Sequence, residues 1–161
     1  MTYRITAVCL GNICRSPMAE AVLRTRVTDA GLTHVVIDSA GTGAWHVGHD
    51  ADPRTLRTLR SRGYDLDHEA RQITTEWFSE RDLIVVMDSA NYRDVLTLRA
   101  RAQDDTPVRM LRSFDPALSH LTEPHPELEV PDPYYAGSFD EVLDMVEAAS
   151  EGLIASGVIP R

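Results

Sequence analysis

The first forty residues contain an apolar run rich in β-branched side chains, a turn with glycine, an amphipathic stretch and a second apolar run. The two runs cover residues 5–10 and 35–38, and Ser16 and Pro17 are typical of a helix N-cap and first helical position. This order predicts a βαβ unit in which a helix over residues 17–30 joins two parallel strands. Such a unit restricts the chain to an α/β fold.

The rest of the chain continues this alternation. Further strands are predicted over residues 83–87 and 108–111, and further helices from the Asp52-Pro53 pair to just before Gly63, over residues 91–102, and from Ser138, whose spacing to Glu141 is typical of a capping box. Gly31 is typical of the residue just past a helix end. We therefore expect a single domain over residues 1–161, with a four-stranded parallel, doubly wound (flavodoxin-like) sheet and helices on both faces.

Two stretches have the composition of long loops, residues 40–51 and residues 113–137, the second with five prolines. Long loops in a compact domain are usually functional or mobile. In a doubly wound sheet, ligands bind beyond the carboxyl ends of the strands, where the first of these loops and the stretch 8–17 are expected to meet. The sequence thus predicts where a site lies before it predicts what the site does.

Charge excludes several classes of function. The formal net charge is −9, which argues against a nucleic acid or an anionic membrane surface as the main partner. All 16 basic residues are arginine, so a lysine-dependent nucleotide loop, a lysine Schiff base and a lysine general base are excluded. An anionic substrate must therefore be attracted by a local arrangement of positive groups.

The two cysteines are too few for a disulfide framework or a cysteine-rich zinc site. His46 and His49 lack further ligands at a suitable spacing, so no metal is expected. The N-terminal residues have no basic region ahead of a long apolar stretch, and a cytoplasmic location is expected, with export without a signal peptide left open.

The stretch VCLGNICRSP, residues 8–17, has the composition of an anion cradle. With Cys9 at the end of a strand and a helix beginning near Ser16, the intervening amides curl inward, the helix N-terminus adds partial positive charge, and Gly11 allows close backbone approach. Arg15 can grip a phosphate with two parallel hydrogen bonds. In that field Cys9 is expected to be a thiolate, and hence a nucleophile aimed at phosphorus, with no metal or cofactor required.

From these residues alone a plainer interpretation stays open, in which Cys9 is a buried strand cysteine and Arg15 a solvated surface residue. A resemblance to a known family, carried by five motifs, favours the interpretation in which Cys9 is a nucleophile. The chain resembles a low-molecular-weight protein tyrosine phosphatase of the bacterial type over essentially its whole length, in the motifs CLGNICRSPMAE (residues 9–20), DSAGTGAWHVG (38–48), VMDSAN (86–91), SFDP (113–116) and DPYYAGSF (132–139).

The resemblance implies a set of roles. Cys9 is the expected nucleophile, Arg15 the phosphate clamp, Ser16 the hydroxyl that stabilises the thiolate, and Asp132 the general acid and then base. The phosphate-binding loop is expected to comprise Leu10, Gly11, Asn12, Ile13 and Cys14, with Asn12 hydrogen-bonded towards Ser39 to hold its shape. Without the resemblance, Asp115 is an equal candidate for the acid, since both aspartates precede a proline in the same predicted loop.

The resemblance also implies a substrate pocket and a redox role. Trp45 and His46 on one side and Tyr134 and Tyr135 on the other are expected to wall the pocket, offering aryl groups faces to stack on. Cys14 resembles the neighbouring cysteine that captures an oxidised nucleophile as a reversible disulfide. From sequence, a small apolar core residue explains Cys14 equally well.

The expected substrates are phosphotyrosine-containing proteins and small aryl phosphates, with inorganic phosphate or vanadate as active-site anions and a monomer or weak dimer as the assembly. An arsenate reductase of the same fold is disfavoured, because it relays electrons through later cysteines and none follows Cys14. A phosphate-binding module without catalysis is the alternative from another class. It would need neither the thiol at Cys9 nor the acid at Asp132.

Overall fold

The computed structural model describes all 161 residues and contains one four-stranded, all-parallel sheet in the order β2-β1-β3-β4. The strands are β1 (Tyr3–Cys9), β2 (Val35–Gly41), β3 (Leu83–Val86) and β4 (Val108–Met110). The register pairs Cys9 with Gly41 and Val8 with Val86, so the carboxyl ends of the three longest strands finish side by side. The predicted doubly wound, parallel fold class is confirmed.

Five α-helices accompany the sheet: α1 (Arg15–Asp29), α2 (Pro53–Ser61), α3 (Ser89–Ala102), α4 (Pro133–Ala136) and α5 (Phe139–Ala155). Four short 3₁₀ helices lie at Thr75–Glu80, Leu111–Phe114, Pro116–Leu118 and Pro126–Leu128. None of these helices combines the length and the hydrophobicity that a membrane span requires.

Side chains of β1 alternate between two apolar cores, as the pleat of a strand requires. Ile5 and Ala7 belong to a cluster of 27 buried residues on the face covered by α1 and α5. Val8 belongs to a smaller cluster of 10 on the opposite face, where α3 contributes Val95 and the Thr75–Glu80 helix contributes Phe78. β1 is paired on both sides, with β2 and β3, and covered on both faces. Its carboxyl end therefore supports the loop that follows.

The prediction of Ser16 as N-cap is wrong. α1 already begins at Arg15, its N-cap position is Cys14, and no side chain caps it. The Ser16 hydroxyl instead bonds inward to Cys9 and Asn12, so a tertiary contact takes the group that would have capped the helix. The predicted capping box at Ser138 is also absent: Ser138 is the N-cap of α5, but its side chain makes no capping bond.

Other boundaries move by a few residues. β2 continues to Gly41, so the predicted loop over 40–51 begins later, and α3 begins at Ser89 because the Asp88 side chain caps it by accepting from the Asn91 N–H. The segment 113–137 is not a plain loop, since short helices starting at Pro116, Pro126 and Pro133 occupy parts of it. Proline suits the first turn of a helix because it has no N–H to leave unpaired.

The side chain of Trp77 packs at the edge of the sheet next to β2. Trp77 is half-buried between two guanidinium groups, with Arg81 4.4 Å and Arg71 4.8 Å from its ring centroid. Both arginines also reach the Asp38 carboxylate, at 2.7 and 3.3 Å. The stacked group ties the 71–81 segment to β2.

Candidate active site

The loop between β1 and α1 closes around the sulfur of Cys9. Cys9 ends β1 and is only 3% exposed, and α1 begins six residues later. The Asn12 backbone N–H donates to Cys9 Sγ at 3.3 Å, and the Ser16 hydroxyl lies 3.0 Å from the same sulfur. The first N–H groups of α1 have no partner within the helix, which leaves them free for an anion held above the sulfur.

Arg15, at the start of α1, is held from behind by two neighbouring segments. Its Nη1 donates to Asp88 Oδ2 at 2.6 Å and to the Val130 carbonyl at 3.1 Å, while its Nη2 lies 3.5 Å from Asp132 Oδ2. Burial opposes the charge on this guanidinium, but the Cys9 sulfur and the carboxylates of Asp88 and Asp132 outweigh it and raise the pKa of Arg15. A permanently charged, pre-aimed guanidinium therefore lies beside the thiol.

Asn12 fixes the shape of the loop. Its φ of 58° is in the left-handed region, which asparagine tolerates better than most residues. Its Nδ2 donates to Ser39 Oγ at 3.0 Å, the bond implied by the resemblance, and also to Ser16 Oγ at 2.8 Å. On the outer side, the Arg71 N–H donates to Asn12 Oδ1 at 2.9 Å and His68 Nε2 lies 2.6 Å from the Asn12 carbonyl oxygen. The strained residue is thus held from both sides.

Gly41, at the end of β2, is required by this packing. A Cβ there would lie 2.7 Å from the Leu10 carbonyl oxygen and 3.1 Å from the Asn12 nitrogen, so no side chain fits. Gly11 is similarly restricted, because its Cβ would lie 3.0 Å from the ring of His46. Close approach between the loop and its neighbours therefore depends on two glycines.

An open pocket of about 310 Å³ lies over the loop. The side chains predicted to form it are brought together there, since its lining consists of Cys9, Leu10, Gly11, Ile13, Cys14, Arg15, Trp45, His46, Asp132, Tyr134 and Tyr135. Trp45 is 71% exposed and Tyr135 82% exposed, while Tyr134 meets Tyr135 edge to face with 5.0 Å between ring centroids. The pocket has a charged base and aromatic groups at its mouth. Asn12, Ser16 and Ser39 do not line the pocket, and their side chains are buried.

The two candidate acids are placed differently. Asp132 lines the pocket: its Oδ2 faces Arg15, and its Oδ1 accepts from the Tyr134 N–H at 3.1 Å as the N-cap of α4. Asp115 lies away from the pocket and caps the Pro116–Leu118 helix through the Ala117 N–H at 3.0 Å. Only Asp132 can meet a group bound over Cys9.

Cys14 is buried beside the pocket, and both cysteines are free thiols. Burial raises the pKa of Cys14 to about 12, with added repulsion from the carboxylates of Asp52 and Asp132 and from Cys9. At neutral pH Cys14 is therefore a protonated thiol. The rings of His46 and His49 are 5.8 Å apart, and no group of three His, Cys, Asp or Glu side chains is arranged to hold a metal ion.

Four supporting residues were missed from sequence. Asp88 could have been found, because it lies two residues after the end of β3, at the carboxyl edge of the sheet, and inside the VMDSAN motif. Glu20 lies one turn of α1 beyond Ser16, but nothing in its spacing indicates that its side chain is buried. His68 and Arg71 carry no local signal, since their contact with Asn12 depends on how the chain returns after α2.

Comparison with known proteins agrees with this geometry. The sequence model of the low molecular weight phosphotyrosine protein phosphatase family matches residues 4–157. The chain is 55% identical over 159 residues to a low molecular weight protein-tyrosine-phosphatase of Streptomyces coelicolor, covering 97% of this chain and 94% of the relative. It is 45% identical over 152 residues to low molecular weight protein-tyrosine phosphatase A of Mycobacterium tuberculosis, covering 92% and 88%.

Among solved structures, the crystal structure of YfkJ from Bacillus subtilis superposes with a TM-score of 0.85 at 34% identity, covering 98% of this chain and 95% of that one. The likeness thus extends over the whole sheet and the helices on both faces.

Proposed function

Because the chain belongs to the low molecular weight protein-tyrosine-phosphatase family, we propose that it hydrolyses phosphotyrosine on proteins, and small aryl phosphates, through a phosphocysteine intermediate on Cys9. The observation that supports this most is the position of Cys9 Sγ, which accepts the Asn12 N–H and lies beside the Ser16 hydroxyl and the charged Arg15. These groups all favour a negative charge at the sulfur, the state that a nucleophile needs.

In the first proposed step, the Cys9 thiolate attacks phosphorus in line with the departing oxygen. A sulfur–phosphorus bond forms while the bond from phosphorus to the aryl oxygen breaks, and that oxygen leaves with the electron pair. Arg15 and the loop amides bind the three equatorial oxygens, where charge accumulates in phosphoryl transfer.

Asp132 is proposed to protonate the leaving oxygen and then to act in reverse. Having given up its proton, its carboxylate takes one from a water molecule as that water attacks phosphorus. The sulfur–phosphorus bond then breaks, which releases inorganic phosphate and restores the Cys9 thiolate. The contact between Asp132 and Arg15 supports this role, since it holds the carboxyl group beside the phosphate clamp.

The shape of the pocket supports phosphotyrosine over phosphoserine. Cys9 and Arg15 are 3% exposed at its base, whereas Trp45 and the two tyrosines stand at its mouth. A phosphate on a long, flat side chain can reach the base with its ring between these aromatic groups, and a phosphate on a short serine side chain cannot.

Turnover of matched phosphopeptides tests the proposal. The protein should release phosphate from a phosphotyrosine peptide, without added metal, and should leave the phosphoserine version of the same peptide almost untouched. Cys9→Ser should abolish turnover yet retain the phosphotyrosine peptide, whereas Arg15→Ala should lose both turnover and binding. Equal turnover of the two peptides would refute the substrate class, and an active Cys9→Ser variant would refute the nucleophile.

The same peptides separate catalysis from simple binding. A phosphate-binding module would retain the phosphotyrosine peptide and release no phosphate. Arsenate reduction stays disfavoured, because a relay needs a cysteine beyond Cys14 and the chain has none.

A further inference from the structure

A carboxylate is buried directly beneath the anion-binding loop, where its charge opposes the binding of phosphate. Glu20, in the second turn of α1, is only 4% exposed. One of its oxygens accepts the Ser39 hydroxyl at 2.6 Å, and the other pairs at 2.9 Å with Arg24, one turn further along the helix. Burying a charge near an anion site costs free energy, so its presence calls for a compensating effect.

The compensation lies in the direction of the hydrogen bonds. Glu20 is paired with the Arg24 guanidinium, and a glutamate carboxylate can only accept hydrogen bonds. The hydrogen in the contact between Glu20 and Ser39 must therefore come from Ser39. Ser39 Oγ is left with only lone pairs for its next neighbour, the Asn12 amide.

The second end of the network is fixed by a group that can only donate. The Arg71 N–H donates to Asn12 Oδ1 at 2.9 Å, which fixes the amide so that Nδ2 faces inward. The two hydrogens of Nδ2 go to Ser39 Oγ and Ser16 Oγ. Ser16 Oγ thus accepts from Asn12 and keeps its own hydrogen, for which Cys9 Sγ at 3.0 Å is a nearer acceptor than the Ala40 carbonyl oxygen at 3.4 Å.

We propose that Glu20 is a positioning residue that, with the Arg71 N–H, fixes one arrangement of hydrogens along Ser39, Asn12 and Ser16 and so directs the Ser16 O–H at the Cys9 thiolate. This inference rests on the proposed role of Cys9 as nucleophile. Without the acceptor-only end, the buried Ser39 hydroxyl has no fixed acceptor for its hydrogen. Turning that hydrogen towards Asn12 Nδ2, itself a donor, disturbs the bonds that hold Ser16 in its donating role.

Replacement of Glu20 by glutamine gives the role a distinctive signature. Glutamine has one acceptor oxygen for two donors, Ser39 and Arg24, so its NH₂ group must face one of them. Loss of the negative charge by itself makes the thiolate easier to form and phosphate easier to bind. Loss of the Ser16 donor acts in the opposite direction on the thiolate alone, since phosphate is held by Arg15 and the loop amides.

The experiment measures the rate of Cys9 alkylation by iodoacetamide as a function of pH, with the adduct located by mass spectrometry. The titratable or charged groups around Cys9 and its loop are Arg15 and Cys14 on the loop, His46 on the β2–α2 connection, His68 against Asn12, Asp88 against Arg15, and Asp132, Tyr134 and Tyr135 at α4. All of these are the same in parent and variant. We expect Glu20→Gln to move the midpoint of the rate profile upward by about one pH unit, while phosphate protects Cys9 at an unchanged or lower concentration.

Two further variants serve as comparisons. Ser39→Ala interrupts the same network and should give the same upward shift, and combining it with Glu20→Gln should add nothing, because both changes break one chain of bonds. Asp29→Asn removes the same charge from the exposed end of α1 and should leave the profile where it was. Ser39→Ala also provides the test if the Glu20 variant does not fold.

The outcomes separate this proposal from its alternatives. An unchanged or lowered midpoint in Glu20→Gln would overturn it and leave only the effect of charge. A raised midpoint accompanied by weaker phosphate protection would also overturn it, because that pattern indicates a collapsed loop. Failure of the proposed function would give a different result: in the parent protein, Cys9 would react with iodoacetamide at neutral pH no faster than an ordinary thiol.

Discussion

The two carboxyl oxygens of Asp132 make different contacts. One oxygen caps α4 and the other faces Arg15 over the pocket, so the residue holds its own helix in place while lying within reach of a leaving group. Asp115 makes the matching capping bond to Ala117 and does not line the pocket. The chain thus contains its own control for separating the cost of a lost cap from the cost of a lost acid.

Asp132→Asn should slow hydrolysis of phosphotyrosine, whose leaving phenol has a pKa near 10, by about 10²- to 10⁴-fold. Esters of strongly acidic phenols should be affected far less, because they leave as stable anions. The measurement is log kcat/KM, which reports the steps up to departure of the leaving group, against leaving-group pKa; its slope should steepen in Asp132→Asn and stay the same in Asp115→Asn. An unchanged slope in the first variant, or a steeper one in the second, would mean that the acid is a different residue.

Cys14 should be silent towards alkylating agents at neutral pH. Burial raises its pKa to about 12, and a thiol whose pKa is raised stays protonated at all pH values well below that value. In a Cys9→Ser variant, iodoacetamide at about pH 7 should therefore leave Cys14 unmodified, with reaction appearing only as the pH approaches the raised pKa. Rapid labelling of Cys14 near neutrality would contradict this expectation.

The same property shapes the proposed redox role. Peroxide would convert the Cys9 thiolate to a sulfenic acid, and the Cys14 sulfur would displace water from it to form a disulfide. Since little Cys14 is ionised, this step should be slow and should accelerate with rising pH, and dithiothreitol should reverse it. Cys14→Ser should recover less activity after mild peroxide than the parent; equal recovery would exclude the protective role.

At the scale of elements, short apolar runs rich in β-branched residues predicted all four strands, because strands covered on both faces are apolar at consecutive positions. Their ends were less accurate. The start of α1 was misread, because a capping pattern says nothing about tertiary partners and the Ser16 hydroxyl is used by Cys9 and Asn12. The start of α5 after Ser138 was predicted correctly, although the predicted capping bond is absent. The cradle around Cys9 was predictable from local order, whereas His68 and Arg71, which hold Asn12, come from a distant segment and were not.

The N-terminus of α3 anchors Arg15, the proposed phosphate clamp. Asp88 caps this helix with Oδ1 and holds Arg15 with Oδ2, while Glu129 accepts the Ser89 N–H at 2.9 Å without touching Arg15. Asp88→Asn should therefore lower kcat/KM for aryl phosphates about tenfold, because asparagine has one acceptor for two donors and Arg15 loses a charge-assisted bond.

Glu129→Gln is the matched control for that change. It removes one negative charge from the same helix end and should lower Tm slightly while leaving kcat/KM unaltered. Steady-state kinetics and thermal unfolding of both variants make the measurement. If the two variants lost activity equally, the effect would belong to the helix end and not to the position of Arg15.

At the scale of the whole molecule, the net charge of −9 opposes the approach of the proposed anionic substrates. Arg15, at the base of the pocket, must then hold them. Raising ionic strength from about 10 mM to about 150 mM with sodium chloride should screen this long-range repulsion. We expect kcat/KM to rise about twofold or more for a phosphotyrosine peptide with acidic neighbours, and to fall for one with basic neighbours. A fall for the acidic peptide would show that local charges dominate its approach.

The two tryptophans lie in unlike surroundings, and this gives the protein two optical reporters. Trp45 is largely exposed at the mouth of the pocket, whereas Trp77 is stacked between Arg71 and Arg81 at the sheet edge. Their emission should differ in colour and in quenching by iodide, with Trp45 responding to an aryl ligand and Trp77 changing only when the stack opens. Pocket occupancy and loss of the fold can then be followed in one sample without any attached dye.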